Sequence, residues 1–573
     1  MNRLHTLCPA TRLHAQVKDC WPVLLVILGL LGLLLWQAYS RALSGTLEAE
    51  SAEIARQFLK LGDWTVNHMN GQEDYDKPPL YYWIIGFSKV LTGASWEFSS
   101  RLPSIVSLLV FLALLRAIPQ SKDQPISVWL AFSILLVNPK VISMAQTARI
   151  DLMLCMFTFA AMVSFIRYWD PEEKYSDRHR QWYYLFFIFM ALAVMSKGPV
   201  GFVITAIPVF LFLLWHRAFG ETRHVFMGPG MLLFILLALP WFIITSVVTE
   251  GRFFRGFILD ENLSRFGNLF SGLNFVTFKA RPYWQYIPLF VGGFFPWGLF
   301  VPGAFYSTFR VISKRSPTET LLIIYCLWVF VFFSLSGIKR SDYILPLYPA
   351  AAWLVAKYLQ WGISALHLRR YCLTISGFQL SLLLLFALAP RWLRSQSFSS
   401  LLNRNDARQL DHYLDAIAHH YHWVIGVIAL LTMLWLAGWK LRLRWQTIRL
   451  FVVFQGVLLG LFILFQQMVD RPLKETRPYI AAIANLVQSH PLYFYHQWDE
   501  EYGFYLNRPI PVIKQSVELN KVMKYGAEQV FVLIHPKQYS RLFEEKKNLP
   551  LVFHQGMPPE RPMYLITNTV HSR

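Results

Sequence analysis

Gly62-Asp63-Trp64, followed by Asp76-Lys77-Pro78-Pro79-Leu80-Tyr81-Tyr82-Trp83, lies just after the first membrane-length apolar run, Trp21 to Ala38. The stretch sets a carboxylate, a lysine, two prolines and a row of aromatic rings where an external loop re-enters the bilayer. Charges at such a place are expensive and usually belong to a site. Its reading decides what kind of membrane protein the chain is.

The composition around it is that of a membrane protein. Of 573 residues, 55% are hydrophobic and only 15% charged. Apolar runs recur from Trp21 to Met468, and a crossing takes about 20 residues. Hydropathy predicts an all-α polytopic membrane protein with about thirteen transmembrane helices. They fall near 21–39, 98–117, 125–139, 150–168, 182–197, 199–216, 230–248, 285–306, 319–337, 342–361, 372–391, 422–440 and 448–468. Trp21 to Ala38 has no small-residue cleavage site and reads as a retained span.

The net charge of +20 invites a nucleic-acid reading. The basic residues sit instead in alternate short loops, such as Arg178 and Arg180, Arg310 and Lys314, and Lys440 to Arg449. That is the pattern of positive charge retained on the cytoplasmic side, and no nucleic-acid partner is expected. With the N-terminus inside, an odd number of spans puts the C-terminus outside. The five cysteines lie in or beside apolar runs, with no metal-type pair and no disulfide framework.

The chain divides into a membrane domain, 1–469, with outer loops 40–98 and 249–284, and a soluble domain, 470–573. In the latter, β-type runs at Leu492 to Tyr495, Val530 to Ile534 and Tyr564 to Thr567 alternate with helical patterns, predicting a small α/β domain outside the membrane. Within the first outer loop, Ala49 to Leu59 repeats its apolar residues at spacings of three and four. It is expected to lie amphipathically on the membrane surface and to stop at Gly62.

Five cations adjoin span ends on the outer face: Lys77, Lys197, Arg265, Lys339 and Arg340. Kept outside against the charge rule, they need a partner, and a lipid phosphate is one. The bland reading of Lys197 is a side chain snorkelling to the interface. Carboxylates on the same face are Glu48, Glu50, Asp76, Asp151 and Glu261. Asp151 is either a helix cap paired with Arg149 or a functional group. Glu50 and Glu53 read as a solvated helix face. Glu48, at the helix start, reads as a candidate general base.

The ordered set formed by Glu48-Ala49, Ala52-Glu53-Ile54-Ala55-Arg56, Gly62-Asp63-Trp64, Asp76 to Trp83, Ala148-Arg149-Ile150-Asp151, Ser196-Lys197-Gly198, Glu261 to Phe266, Pro296-Trp297 and Lys339 to Pro346 resembles a known family. It is that of membrane glycosyltransferases using lipid-linked sugars, the aminoarabinose transferase and protein O-mannosyltransferase group with the GT-C fold. The resemblance implies transfer of a sugar from a polyprenyl (undecaprenyl) phosphate donor to lipid A, another envelope glycan or a protein. It implies an inverting displacement at the outer face of a bacterial inner membrane. Lys77, Lys197, Arg265, Lys339 and Arg340 would hold the leaving phosphate. Asp76, Arg56, Tyr81, Tyr82, Glu261 and Tyr343 complete the matched site positions. No cofactor is implied with certainty, and a divalent metal is compatible.

The sequence departs from the family in one place that matters. The family's first loop opens on Asp-Glu, and here the pair is Leu47-Glu48. Glu48 or Asp151 must then accept the proton, Glu48 being the expected base and Asp151 an essential site residue, or the activity differs or is lost. Asn262 stands where aminoarabinose transferases carry a His, which weakens a metal site built on that residue. The rival expectations are a lipid-linked glycan flippase or a degenerate donor-binding protein, and, less well matched, an O-antigen ligase or polymerase.

Overall fold

The computed structural model describes residues 9–120, 125–172, 176–263, 282–310, 316–393, 414–415, 419, 421–470, 475–525, 529–545, 551–553, 557 and 562–568. A long helix α1 (Pro9–Ser40) enters the first outer segment. There follow α2 (Thr46–Leu61), a short hairpin β1–β2 (Asn67–Met69, Gln72–Asp74), α3 (Leu80–Thr92) and α4 (Trp96–Ala117). Next come α5 (Val128–Leu136), α6 (Pro139–Ala145), α7 (Ile150–Trp169), α8 (Asp177–Lys197) and α9 (Pro199–Trp215). The bundle continues with α10 (Phe219–Met227), α11 (Pro229–Val248) and a π-helical turn, Phe254–Leu263. It is completed by α12 (Tyr286–Gly293), α13 (Val301–Arg310), α14 (Pro317–Leu335), α15 (Tyr348–Lys357), α16 (Ala365–Leu393), α17 (Tyr421–Lys440) and α18 (Arg444–Phe465).

Eight described helices are long and apolar enough to cross a membrane, or up to ten if each bent pair is one span. The expected count of thirteen is not reached. The run 199–216 gives a helix of only 17 residues. The run 342–361 opens in turns and yields the 10-residue α15, whose side chains are nearly all buried. The run 182–197 belongs to α8, which starts with Asp-Arg-His-Arg. Apolar residues there feed the protein's own core, which hydropathy cannot tell from lipid contact.

Local signals do set the boundaries of the first outer segment. Gly62 takes φ +70° and its N–H closes onto the Phe58 carbonyl at 3.0 Å, a left-handed stop that a glycine adopts at no steric cost. Pro78-Pro79 precedes α3, where missing N–H groups forfeit nothing. Ser95 caps α4 by accepting from the Phe98 N–H.

The helix α2 is not spread on a membrane surface as expected. Ala49, Ala52, Ile54, Ala55 and Phe58 are all at most 1% exposed, and Glu48, Ser51 and Glu53 are buried as well. It is walled by α3 on one side and by the helix Glu500–Leu506 on another.

That second wall belongs to a five-stranded sheet made of β3 (Leu492–Tyr495), β4 (Val512–Ile513), β5 (Phe531–Ile534), β6 (Leu551–Phe553) and β7 (Tyr564–Thr567) in the order β4-β3-β5-β7-β6. β3 runs parallel to β4 and β5, whereas β7 is antiparallel to β5 and β6. Side chains alternate across it. Phe494, Leu533 and Leu565 pack on one face, and Val532, Ile534 and Ile566 on the other. The unit grips the first outer segment through backbone polar groups. Asn70 exchanges two hydrogen bonds with Ile510 (3.1 and 2.8 Å), the Leu43 N–H donates to the Tyr505 hydroxyl at 2.9 Å, and Arg477 donates to the Ser40 carbonyl at 3.0 Å.

Candidate active site

The outer ends of these helices enclose a cavity of about 440 Å³. α2 contributes Leu47, Glu50 and Ser51, whose spacings of three and four put them on one helix face. The turn before α3 contributes Asp76 and Lys77, and the first turn of α3 contributes Tyr81 and Tyr82. Arg149 and Asp151 come from the start of α7, and Lys197 from the end of α8. Glu261 and Asn262 come from the π-helical turn, Arg340 and Tyr343 from the loop after α14. The remaining wall is apolar, including Val200, Val203, Phe332 and Phe333.

Two charge clusters meet there. Lys197 Nζ lies 2.5 Å from Asp151 and 4.8 Å from the centre of the Tyr343 ring. Arg149 reaches Asp151 at 3.5 Å and Asp342 at 2.6 Å, and Asp342 also pairs with Lys140 and with Arg340 at 3.4 Å. Four cations thus surround two carboxylates. Burial opposes ionisation of Asp342, yet Lys140 and Arg149 hold its carboxyl far below the usual range. Sequence reading passed over Asp342 and Lys140; the only signal was an Asp two residues after Arg340.

The second cluster surrounds Lys77, whose Nζ sits 2.9 Å from Glu50 and 2.5 Å from Asp76. Burial works against its charge, but the Glu50 and Asp76 carboxylates keep it protonated. Asp74, just outside, is raised to about 7 by burial and by repulsion from Glu50 and Asp76. Glu50 reads from sequence as a solvated face, and the structure instead turns it onto the cavity.

Glu48 does not line the cavity. It is 3% exposed and accepts both nitrogens of Arg101 at 2.9 Å, Arg41 at 3.1 Å, and the N–H groups of Ser44 (3.1 Å) and Ala148 (2.9 Å). A carboxylate saturated by four donor groups is a poor base, so the expected role of Glu48 is replaced by an anchoring one. Burial pushes its pKa up, but Arg101 and Arg41 more than offset this and hold it at about 2. A depressed folded pKa means stability that is present above the ordinary value of 4.5 and lost as pH falls toward about 2. The contribution is about 3 kcal/mol at neutral pH. Acid unfolding of Glu48→Gln should therefore be shallower between those limits than that of the parent, when followed by tryptophan fluorescence in detergent.

Lys339 and Arg56, also expected at the site, do not line the cavity. Lys339 is buried and donates to the Ser334 and Ser336 carbonyls at 2.7 and 2.8 Å, closing the end of α14 rather than lining the cavity. Arg56 pairs with Glu53, donates to the Phe504 carbonyl at 2.9 Å and lies 4.3 Å over the Phe504 ring, so it serves the sheet unit. Tyr81 donates to the Ser100 carbonyl at 3.3 Å. Asn262 donates to the Phe257 carbonyl at 2.8 Å. Arg265 lies outside the described residues. Among the described residues no group of three or more His, Cys, Asp or Glu is placed to hold a metal ion.

Residues 45–250 match the family of dolichyl-phosphate-mannose-protein mannosyltransferases. The chain is 31% identical over 344 residues to the undecaprenyl phosphate-alpha-4-amino-4-deoxy-L-arabinose arabinosyl transferase of Edwardsiella ictaluri, covering 59% of this chain and 58% of that protein. It is 29% identical over 384 residues to the enzyme of the same name from Enterobacter sp., covering 65% and 66%. The match thus spans about three fifths of the length of these curated relatives. Among solved structures, ArnT from Cupriavidus metallidurans bound to undecaprenyl phosphate superposes with a TM-score of 0.75 at 21% identity, over 96% of this chain and 98% of that one. The chain accordingly has the GT-C fold of the aminoarabinose transferase structures, with its cavity built largely within the segment that matches the mannosyltransferase family.

Proposed function

We propose that the protein is a multi-pass glycosyltransferase of the bacterial inner membrane that takes a sugar from an undecaprenyl-phosphate donor. The acceptor is lipid A, another envelope glycan or a protein at the outer face. The observation that carries this reading is the mixed lining of the cavity. Lys197, Arg149 and Arg340 line it together with the apolar side chains of Val200, Val203, Phe332 and Phe333. A phosphate attached to a long hydrocarbon tail satisfies both. The similarity to transferases named for an undecaprenyl-phosphate sugar supports the donor class. The N-terminus is placed in the cytoplasm and the unit from about residue 470 in the periplasm, in keeping with the loop charges.

In this reading, the cations lower the energy of the departing lipid phosphate. Asp151 positions Lys197 and Arg149 by pairing with both. The acceptor oxygen attacks the sugar carbon opposite the phosphate and inverts it. A second reading, a donor-binding protein without transferase activity, is favoured by Leu47, an apolar side chain lining the cavity. Native mass spectrometry with undecaprenyl phosphate tests the binding step. The parent should bind, and Lys77→Ala and Lys197→Ala should each weaken binding by the loss of a charge-assisted contact, about 1.5–3 kcal/mol. Equal binding by all three proteins would remove the phosphate clamp.

A further inference from the structure

We infer that Glu50 is the general base of the transfer reaction. The inference rests on the transferase reading above and names a catalytic residue within it.

Four carboxylates line the cavity: Glu50, Asp76, Asp151 and Glu261. Asp151 is clasped by Lys197 and Arg149. Asp76 is the more exposed partner of Lys77, on a turn and 35% exposed. Glu261 sits on the π-helical turn at the outer rim. Glu50 differs from all three. It projects from the second turn of α2 and is 13% exposed. Its Oε1 accepts from Lys77 at 2.9 Å, while its Oε2 accepts no hydrogen bond from any described residue. Beside it, the Tyr82 hydroxyl is buried and also without a hydrogen-bond partner among the described residues. One unused acceptor and one unused donor around a cavity wall are what an incoming hydroxyl would satisfy.

The spacing adds a reason why this helix can supply the base although Leu47 cannot. Leu47 and Glu50 are three apart, and both face the cavity. A carboxylate at either position therefore reaches the same space from successive turns.

The step balances as follows. The acceptor hydroxyl gives its proton to Glu50 Oε2 as its oxygen forms a bond to the sugar's anomeric carbon. The bond from that carbon to the phosphate oxygen breaks, and the polyprenyl phosphate departs with the electron pair. Glu50 then returns the proton to water.

The test measures sugar added to envelope lipids and glycoproteins by mass spectrometry in cells carrying the parent, Glu50→Gln, Glu50→Asp, or the double variant L47D with E50Q. Undecaprenyl phosphate binding is measured on each purified protein. Glu50→Gln should lose about 10²–10⁴-fold in transfer, with lipid-phosphate binding within a few-fold of the parent. Glu50→Asp should keep measurable transfer, and L47D with E50Q should recover part of what Glu50→Gln loses. Glu50→Gln transferring at the parent rate overturns the inference while leaving the transferase reading intact. So does a loss in Glu50→Gln that tracks weakened phosphate binding, which would make Glu50 a positioning partner of Lys77. If Glu50→Gln does not accumulate in the membrane, Glu50→Asp and the double variant decide: an inactive pair that accumulates and binds lipid normally overturns it. A parent that adds no sugar defeats the transferase reading and this inference together.

Discussion

Lys197→Ala is expected to lower sugar transfer by about 10²–10³-fold, the loss that follows removal of one preorganised charge from a developing anion. Lys197 is 17% exposed and sits at the end of α8, turned into the cavity over the Tyr343 ring. Its pairing with Asp151 at 2.5 Å raises a rival cause of loss, since the variant leaves a buried carboxylate with Arg149 as its remaining ion-pair partner among the described residues. The two causes separate in a double variant. Combining Lys197→Ala with Asp151→Asn removes the unpaired charge and should restore thermal stability, but not transfer. Recovery of transfer in the double variant would make the lysine a structural counter-ion. Lys197→Arg should be intermediate, because it keeps the charge but alters its geometry.

Arg101→Met is expected to produce the largest loss of stability of any single substitution considered, about 3–5 kcal/mol. Arg101 is fully buried within α4. It donates to both oxygens of Glu48 and to the carbonyls of Ala38 (3.1 Å), Arg41 (2.6 Å) and Ala42 (2.6 Å). Glu48 in turn holds the Ala148 N–H just before α7. One ion pair thus ties the end of α1, the start of α2, α4 and the approach to Asp151. Removing the arginine takes two charge-assisted hydrogen bonds from the buried Glu48 carboxylate, leaving Arg41 as its ion partner. Unfolding in mixtures of SDS and mild detergent should shift accordingly, and adding Glu48→Gln should recover part of the loss. Parental stability in Arg101→Met would show that the network does not hold the fold.

The segments that approach the cavity could be read from sequence because charges beside apolar runs are conspicuous. Lys77, Asp76, Asp151, Lys197 and Arg340 stand out that way, and all line one cavity; Tyr343, which lines it too, comes only with the family resemblance. What escaped depended on partners distant in the chain. Glu48 looks like a base at a helix start until Arg101, 53 residues away, is seen to saturate it. Arg101 itself is hidden in an apolar run, where hydropathy reports only the average. Glu50 shares its pattern with Glu53, yet the two diverge: one meets Lys77 at the cavity and the other meets Arg56 by the sheet unit. Lys339 has the sequence neighbourhood of a phosphate ligand but spends its donors on the end of α14. The described helices fall short of the span count partly for a related reason. A helix such as α15 is apolar because protein surrounds it, so apolarity alone overcounts crossings.

The most direct test of the central reading compares the envelope of cells with and without this gene, and with a version in which Lys77 and Lys197 are both alanine. Lipid A, other envelope glycans and membrane glycoproteins are analysed by mass spectrometry. The expected result is a sugar mass present on one of these acceptors with the intact gene, and absent both without it and with the doubly substituted version. Identical envelopes in all three strains, under conditions where the protein is made and membrane-inserted, would contradict the assignment of this cavity to sugar transfer.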